Sequence, residues 1–147
     1  VNLKVKPFKV YVRPILEYCS SVWNPHLISD IQNVEKVQRR FTKRLFRGSM
    51  SYGDRLKTLN LDSLELRILY ADAYTIFQIV NNNLLDFQDF YSRPPPSSTR
   101  SANNSILYVP RFRLDCRKYD FAVRSVKIWN FIPLDSKNLP FWHLRKH

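Results

Sequence analysis

Two glycines, Gly48 and Gly53, are all that this chain of 147 residues has for turns that need positive φ. A sheet of several antiparallel strands uses such positions at most of its tight hairpins, so a many-stranded β fold is disfavoured and helices take its place. About one domain's worth of chain, 44% hydrophobic and 14% aromatic, is enough to bury a core. The expectation is an all-α fold of four or five helices around one buried central helix, with a Pro-rich loop and room for one short extended segment.

Periodicity places the elements. Residues 2–12 mix apolar and basic positions around Pro7 and read as a frayed or truncated first element. Pro14 either starts a helix in its first turn or kinks a longer one running to Val22, with Ile15, Leu16, Cys19 and Val22 or Trp23 as the buried side. Asn24-Pro25 breaks it. A basic helix is expected over 30–47, capped by Ser29 or Asp30 and closed by Gly48. A short helix from about Tyr52 to Leu59 turns Leu56 and Leu59 inward. Asp62 and Glu65 then stand at the D-x-x-E spacing of a capping box. The helix they open, 63–82, is apolar over more than half its circumference through Leu64, Leu66, Ile68, Leu69, Ala73, Ile76, Phe77 and Val80, and is the expected central helix. Asn81-Asn82-Asn83 ends it.

Beyond that helix, residues 92–105 carry three consecutive prolines among Ser and Asn and read as a loop. Ile106-Leu107-Tyr108-Val109 is either a short strand or an extended apolar clip. A last helix from Leu114 or Tyr119 to Phe131 turns Phe121, Val123 or Ala122, Val126, Ile128 and Trp129 inward, and Pro133 stops it. Composition thus suggests a helical region over 1–90, a loop over 91–110, and a basic helical segment over 111–147 that packs on the same core.

The net charge of +12 is unevenly spread. Residues 1–50 carry ten Lys and Arg against three acids (+7), residues 51–100 five against six (−1), and residues 101–147 nine against three (+6). A polyanion is the natural partner, with nucleic acid ahead of a membrane surface because no long apolar run or anchor accompanies the charge. The charge concentrates on the basic helix. With Lys36 at zero and 100° per residue, Arg40, Lys43 and Arg47 fall within about 40° of it, while Ile31, Val34, Phe41 and Leu45 lie on the far side, between about 140° and 220°. Lys36, Arg39, Arg40, Lys43, Arg44 and Arg47 are six cations in twelve residues with no acid among them. A solvated helix ordinarily mixes signs, so this pattern points to nucleic-acid phosphates.

Other motifs carry less. Cys19 and Cys116 stand far apart without a CxxC partner, which indicates reduced thiols in an intracellular protein and a core role for Cys19. His143 and His147 have H-x3-H spacing, but no local cysteine pair completes a zinc site, so no metal and no cofactor are expected. Trp23 and Trp129 sit among helical apolar positions and read as core; Trp142 suits either core or base stacking. The Tyr70-Ala71-Asp72-Ala73 tetrad is one carboxylate short of the metal-holding tyrosine-x-Asp-Asp signature of reverse transcriptases and falls inside a helical pattern, so it reads as a decoy. No nucleophile elbow is present. The chain opens on Val1 rather than Met, has no signal-type start, and is read as an excised part of a longer protein.

The string RPILEYCSSVWNP from Arg13 to Pro25, followed by IQNVEKVQRR and Phe41-Thr42-Lys43, resembles the segment just downstream of the palm in reverse transcriptases of LINE-like, non-LTR retrotransposons of the Jockey and chicken-repeat type. Tyr52-Gly53-Asp54-Arg55-Leu56, Ser63-Leu64-Glu65-Leu66-Arg67, Arg113-Leu114-Asp115 and Trp129-Asn130-Phe131-Ile132-Pro133 fit as well, so the resemblance spans about residues 10–142. It implies a thumb and C-terminal region whose helix lies along a template-primer duplex, after the fingers and palm of the same polypeptide. The catalytic carboxylates and divalent metal of such an enzyme belong to the palm, so no catalysis is expected from this chain alone. The expected phosphate contacts are Lys36, Arg39, Arg40, Lys43, Arg44 and Arg47, with Arg111, Arg113, Arg117, Lys118 and Arg124 as a second basic face.

Overall fold

A computed structural model describes residues 2–46, 50–82, 84–93 and 106–137. The described residues are helical and contain no strand, an all-α fold as the glycine count predicts. Four helices reach eight residues or more among them: Ile28–Leu45, Tyr52–Leu59, Leu64–Asn82 and Phe121–Phe131. The expected Pro-rich loop falls largely on 94–105, outside the described residues, as do Gly48 and Asn83. No helix among the described residues is long and apolar enough to cross a membrane.

The chain divides into two compact units, Val1–Ala71 and Asp72–His147. The division falls within the helix Leu64–Asn82.

The first unit opens on α1 (Asn2–Pro7), continues through a π turn at Phe8–Val12, and runs on as α2 (Arg13–Glu17). Residues 2–12 are therefore helical rather than frayed, because Val5 and Phe8 are buried and tie them down. Val5 packs with Leu59 and Leu61, and Phe8 stacks on Phe41 at 4.2 Å between ring centroids. The π turn has a chemical cause. Pro14 offers no N–H to Val10, and its ring would crowd that carbonyl, so the backbone widens and the Arg13 N–H bonds to Phe8 O instead.

One extra residue in a turn rotates everything after it by about 100°. Leu16 and Glu17 consequently lie half-buried, while Ile15 is 77% exposed, against the expectation that it faces inward. Tyr18 then leaves the helix and Cys19 takes a left-handed conformation at φ 52° before α3 (Ser20–Trp23). Cys19 is exposed rather than core, Val22 is 82% exposed, and Trp23 is partly exposed with its indole N–H donating to Tyr18 O at 2.6 Å. The inward side expected for Ile15, Cys19, Val22 and Trp23 is thus corrected: the π turn and the Cys19 break place them on the surface.

The basic helix, α4, spans Ile28–Leu45. Its N-cap is Leu27, whose carbonyl accepts from the Asp30 and Ile31 amides at 3.1 Å each, so Ser29 and Asp30 lie inside the first turn and do not cap it. Asp30 there still complements the positive end of the helix dipole. α5 occupies Tyr52–Leu59, as predicted, capped by the Ser51 hydroxyl accepting from the Asp54 amide at 3.2 Å. α6 spans Leu64–Asn82 and buries Leu64, Ile68, Ala73, Ile76, Phe77 and Ile79. Leu66 and Leu69, expected inward, are exposed.

The start of α6 departs from the D-x-x-E expectation. Ser63, not Asp62, takes the capping position, its hydroxyl accepting from the Leu66 amide at 3.2 Å. The remaining amides go to a residue distant in sequence: Glu35 on α4 accepts from Leu64 N at 2.9 Å and Glu65 N at 3.3 Å. Glu17 adds a second ionic tie, pairing with Arg13 at 3.2 Å and clasping the Arg67 guanidinium on α6, whose Nη2 donates at 2.7 Å. That pairing raises the Arg67 pKa, and burial together with the nearby Arg67 charge lowers that of Arg13.

The second unit packs Ile76, Phe77, Ile79, Tyr91, Leu107, Val126 and Trp129 into one cluster. Around it stand the short helices α7 (Phe87–Phe90), α8 (Asp115–Lys118) and α10 (Leu134–Lys137), and the longer α9 (Phe121–Phe131). Residues 106–109 form an extended clip, not a strand: Asn130 on α9 accepts from Leu107 N at 3.0 Å and donates to Leu107 O at 2.9 Å, while Tyr108 N donates to Ser92 O.

Glu35→Ala removes the acceptor for the α6 amides and leaves the Tyr52 hydroxyl without its carboxylate. The unfolding free energy should fall by about 2–4 kcal/mol, read as a lower urea midpoint at unchanged slope.

Candidate nucleic-acid interface

The cations of α4 are displayed outward. Lys36, Arg39, Arg40, Lys43 and Arg44 are all exposed, and Arg47 lies outside the described residues. Lys36 Nζ donates to Asn33 Oδ1 at 2.7 Å and the Arg39 guanidinium sits 4.9 Å from the Tyr52 ring centroid. Among the described residues none of these five forms an ion pair. Lys43 and Arg44 occupy the last turn, where the helix dipole favours positive charge. Among the described residues the stripe is therefore a row of charge without an ion-pair partner, carried on a single helix.

What holds the row in place is polar, and sequence periodicity does not anticipate it. Ile31, Val34, Phe41 and Leu45 are only half-buried, and the buried positions of α4 are Glu35, Gln38 and Thr42. Gln38 Nε2 donates to Asp62 O at 2.9 Å and to Tyr52 Oη at 3.2 Å, and the Tyr52 hydroxyl donates to Glu35. Arg55, also buried, donates to Thr42 Oγ1 at 3.3 Å and Met50 O at 2.6 Å. Tyr52 thus sits under both Arg39 and Arg55, whose guanidinium is 5.5 Å from the ring. A signal was present: Gln38 and Thr42 fall at about 200° and 240° on the helical wheel, in the same sector as Ile31.

The second basic face is only partly assembled. Arg111, Arg113, Arg117 and Lys118 are exposed, with Arg117 3.8 Å from Asp120 and 5.6 Å from the Phe112 ring centroid, and Lys118 Nζ 5.1 Å from that of Tyr119. Arg124 does not belong with them. It bonds Asp72 through Nε at 2.8 Å and Nη2 at 3.3 Å and donates to Tyr119 O at 3.0 Å, which draws it into the fold. The reason is Asp72, which is 0% exposed and needs a cationic partner.

The same pair explains the Tyr70-Ala71-Asp72-Ala73 tetrad: its carboxylate is a structural anchor inside α6. Trp129 is core, as expected, and Trp142, His143 and His147 lie outside the described residues. Cys116 is exposed, and among the described residues no group of three His, Cys, Asp or Glu side chains is placed to hold a metal ion. Comparison with family models, with curated proteins and with solved structures finds no match.

Burial, and then the hydrogen bond to Glu35, raise the Tyr52 pKa above its ordinary 10.0; burial does the same for Tyr91. A phenol whose pKa is raised on folding contributes its stabilisation in full below the unfolded value, and loses it as pH climbs toward the folded one. The contribution of these two phenols should therefore be constant up to about pH 10 and fall above it. Tyr52→Phe should remove part of that decline, as followed by urea melts at stepped pH.

Proposed function

We propose that this chain is the post-palm, template-primer-holding region of a LINE-like reverse transcriptase, and that it binds nucleic acid through α4 without performing chemistry of its own. The observation that carries the reading is the α4 stripe: five exposed cations without an ion-pair partner among the described residues. They sit on a helix whose opposite face is locked by the Glu35, Gln38 and Thr42 network. Rigid display matters because phosphates on a duplex are fixed in space, and a preorganised row loses little side-chain freedom on meeting them. The resemblance over residues 10–142 supports the same assignment and supplies the expectation that a metal-dependent palm precedes this region.

Residues 10–28 fit this reading in another way. Val10, Tyr11, Ile15, Tyr18, Val22 and Ile28 are exposed apolar side chains. In the proposed setting they meet the palm and fingers of the same polypeptide. The same observation favours a second reading, a helical interaction module whose partner is another protein and whose cations simply face water.

The two separate on one measurement. Replacing Lys36, Arg40 and Lys43 together by Glu should abolish binding to a labelled duplex or RNA–DNA hybrid at low salt. If four cations meet phosphates, the parent chain should show log affinity falling against log salt with a slope of roughly −3 to −4. A folded triple variant that binds as the parent does would sink the proposal. A parent chain that ignores every nucleic acid yet saturates on a protein partner would establish the second reading.

A further inference from the structure

A cavity of about 130 Å³ opens on the second unit, beside the extended clip and α9. Phe90, Tyr108, Pro110, Phe112 and Arg117 line it, with Val126 among its apolar lining. Phe90 is 39% and Tyr108 48% exposed. Arg117 joins the wall with its guanidinium near the Phe112 ring, and Arg111, Arg113 and Lys118 are exposed in the same stretch. Asp115 and Asp120 are the acids between residues 111 and 120, and Asp120 meets Arg117 only at 3.8 Å between two solvent-exposed side chains.

Size and chemistry narrow the occupant. The volume is well below the roughly 300 Å³ at which pockets begin to take drug-sized ligands and cofactors, so one planar ring system fits and a dinucleotide does not. An apolar peptide side chain would satisfy the rings and leave the cations without a counterpart. A nucleobase brings a π-face for the aromatics and, on the same ligand, phosphates for the arginines. A duplex cannot supply that combination, because its bases are stacked on each other.

We propose that this pocket takes one unpaired base of a single-stranded nucleic acid, stacked against Tyr108 and Phe90, with the adjoining phosphates on Arg111, Arg113 and Lys118. The inference rests on the nucleic-acid reading above but assigns a different strand state to a different surface. Stacking of this kind is tolerant of base identity, so no sequence preference is expected.

The test uses the whole chain and three probes of equal length: a thymidine strand of about 12 nucleotides, the same strand with abasic sites throughout, and a blunt duplex. The thymidine strand should bind the parent chain roughly 5- to 150-fold more tightly than the abasic strand. Tyr108→Ala should remove that advantage and leave duplex affinity within about twofold, and Tyr108→Trp, which keeps a stacking ring, should retain it and show indole quenching by the thymidine strand. Equal binding of abasic and thymidine strands by the parent, or a Tyr108→Trp indole quenched by a proline-rich peptide and not by the strand, would overturn the assignment. A chain that binds duplex with the expected salt slope but gains nothing from unpaired bases loses this pocket and keeps the α4 interface. A chain that binds neither strand form loses both.

Discussion

Glu35 is the residue on which the first unit turns. A buried carboxylate is costly unless every oxygen finds a donor. Here one oxygen accepts from the Tyr52 hydroxyl and the other from the first amides of α6, so three elements are joined by one side chain. The arrangement lets a helix that is cationic on one side be polar on the other as well. Its orientation is set by directional hydrogen bonds, reinforced by half-buried Ile31, Val34, Phe41 and Leu45, instead of by an apolar stripe alone. Directionality matters for a binding helix: an apolar face can slide or roll by a fraction of a turn at small cost, while a capped and bonded one fixes the angle at which its charges are presented.

Much of this was legible in the residues. Scarce glycine and the long apolar periodicity between Leu64 and Val80 lead to an all-α fold, and the Tyr52–Leu59 and Phe121–Phe131 helices stand where spacing puts them. The cationic row on α4 is a property of a single helix, and single-helix properties follow from a 3.6-residue period. What the period cannot show is an interruption of itself. Pro14 is visible in the sequence, yet period alone does not say whether it starts a helix, kinks it or opens a π turn, and the segment around it is held by contacts between residues far apart in the chain, Phe8 with Phe41 and Glu17 with Arg67. Once the π turn is in place the register of Ile15 and its neighbours is lost to any counting that assumes a uniform helix.

Charges show the same limit from the other side. Arg124 counts as one more cation in a basic segment until Asp72 is known to be buried within its reach. Asp72, in turn, is one carboxylate short of a catalytic motif on sequence alone, and its structural role shows only where it holds Arg124. Neither is explained alone, because the meaning of a titratable group lies in its partner, and for this pair the partner is some fifty residues away. Net charge and its distribution are robust to such errors: losing Arg124 from the surface leaves both basic segments basic.

The clip at residues 106–109 has a consequence for solubility. Ile106-Leu107-Tyr108-Val109 is an uncharged, β-prone run, the kind of segment that pairs with copies of itself when its backbone is free. In the fold, both Leu107 backbone groups are taken by one Asn130 amide, which imitates a neighbouring strand without providing an edge for another chain to join. Pro110 denies a further donor immediately after it. A side chain on a helix thus acts as a gatekeeper for a segment more than twenty residues earlier, and its loss would free the Leu107 backbone groups to pair with another chain.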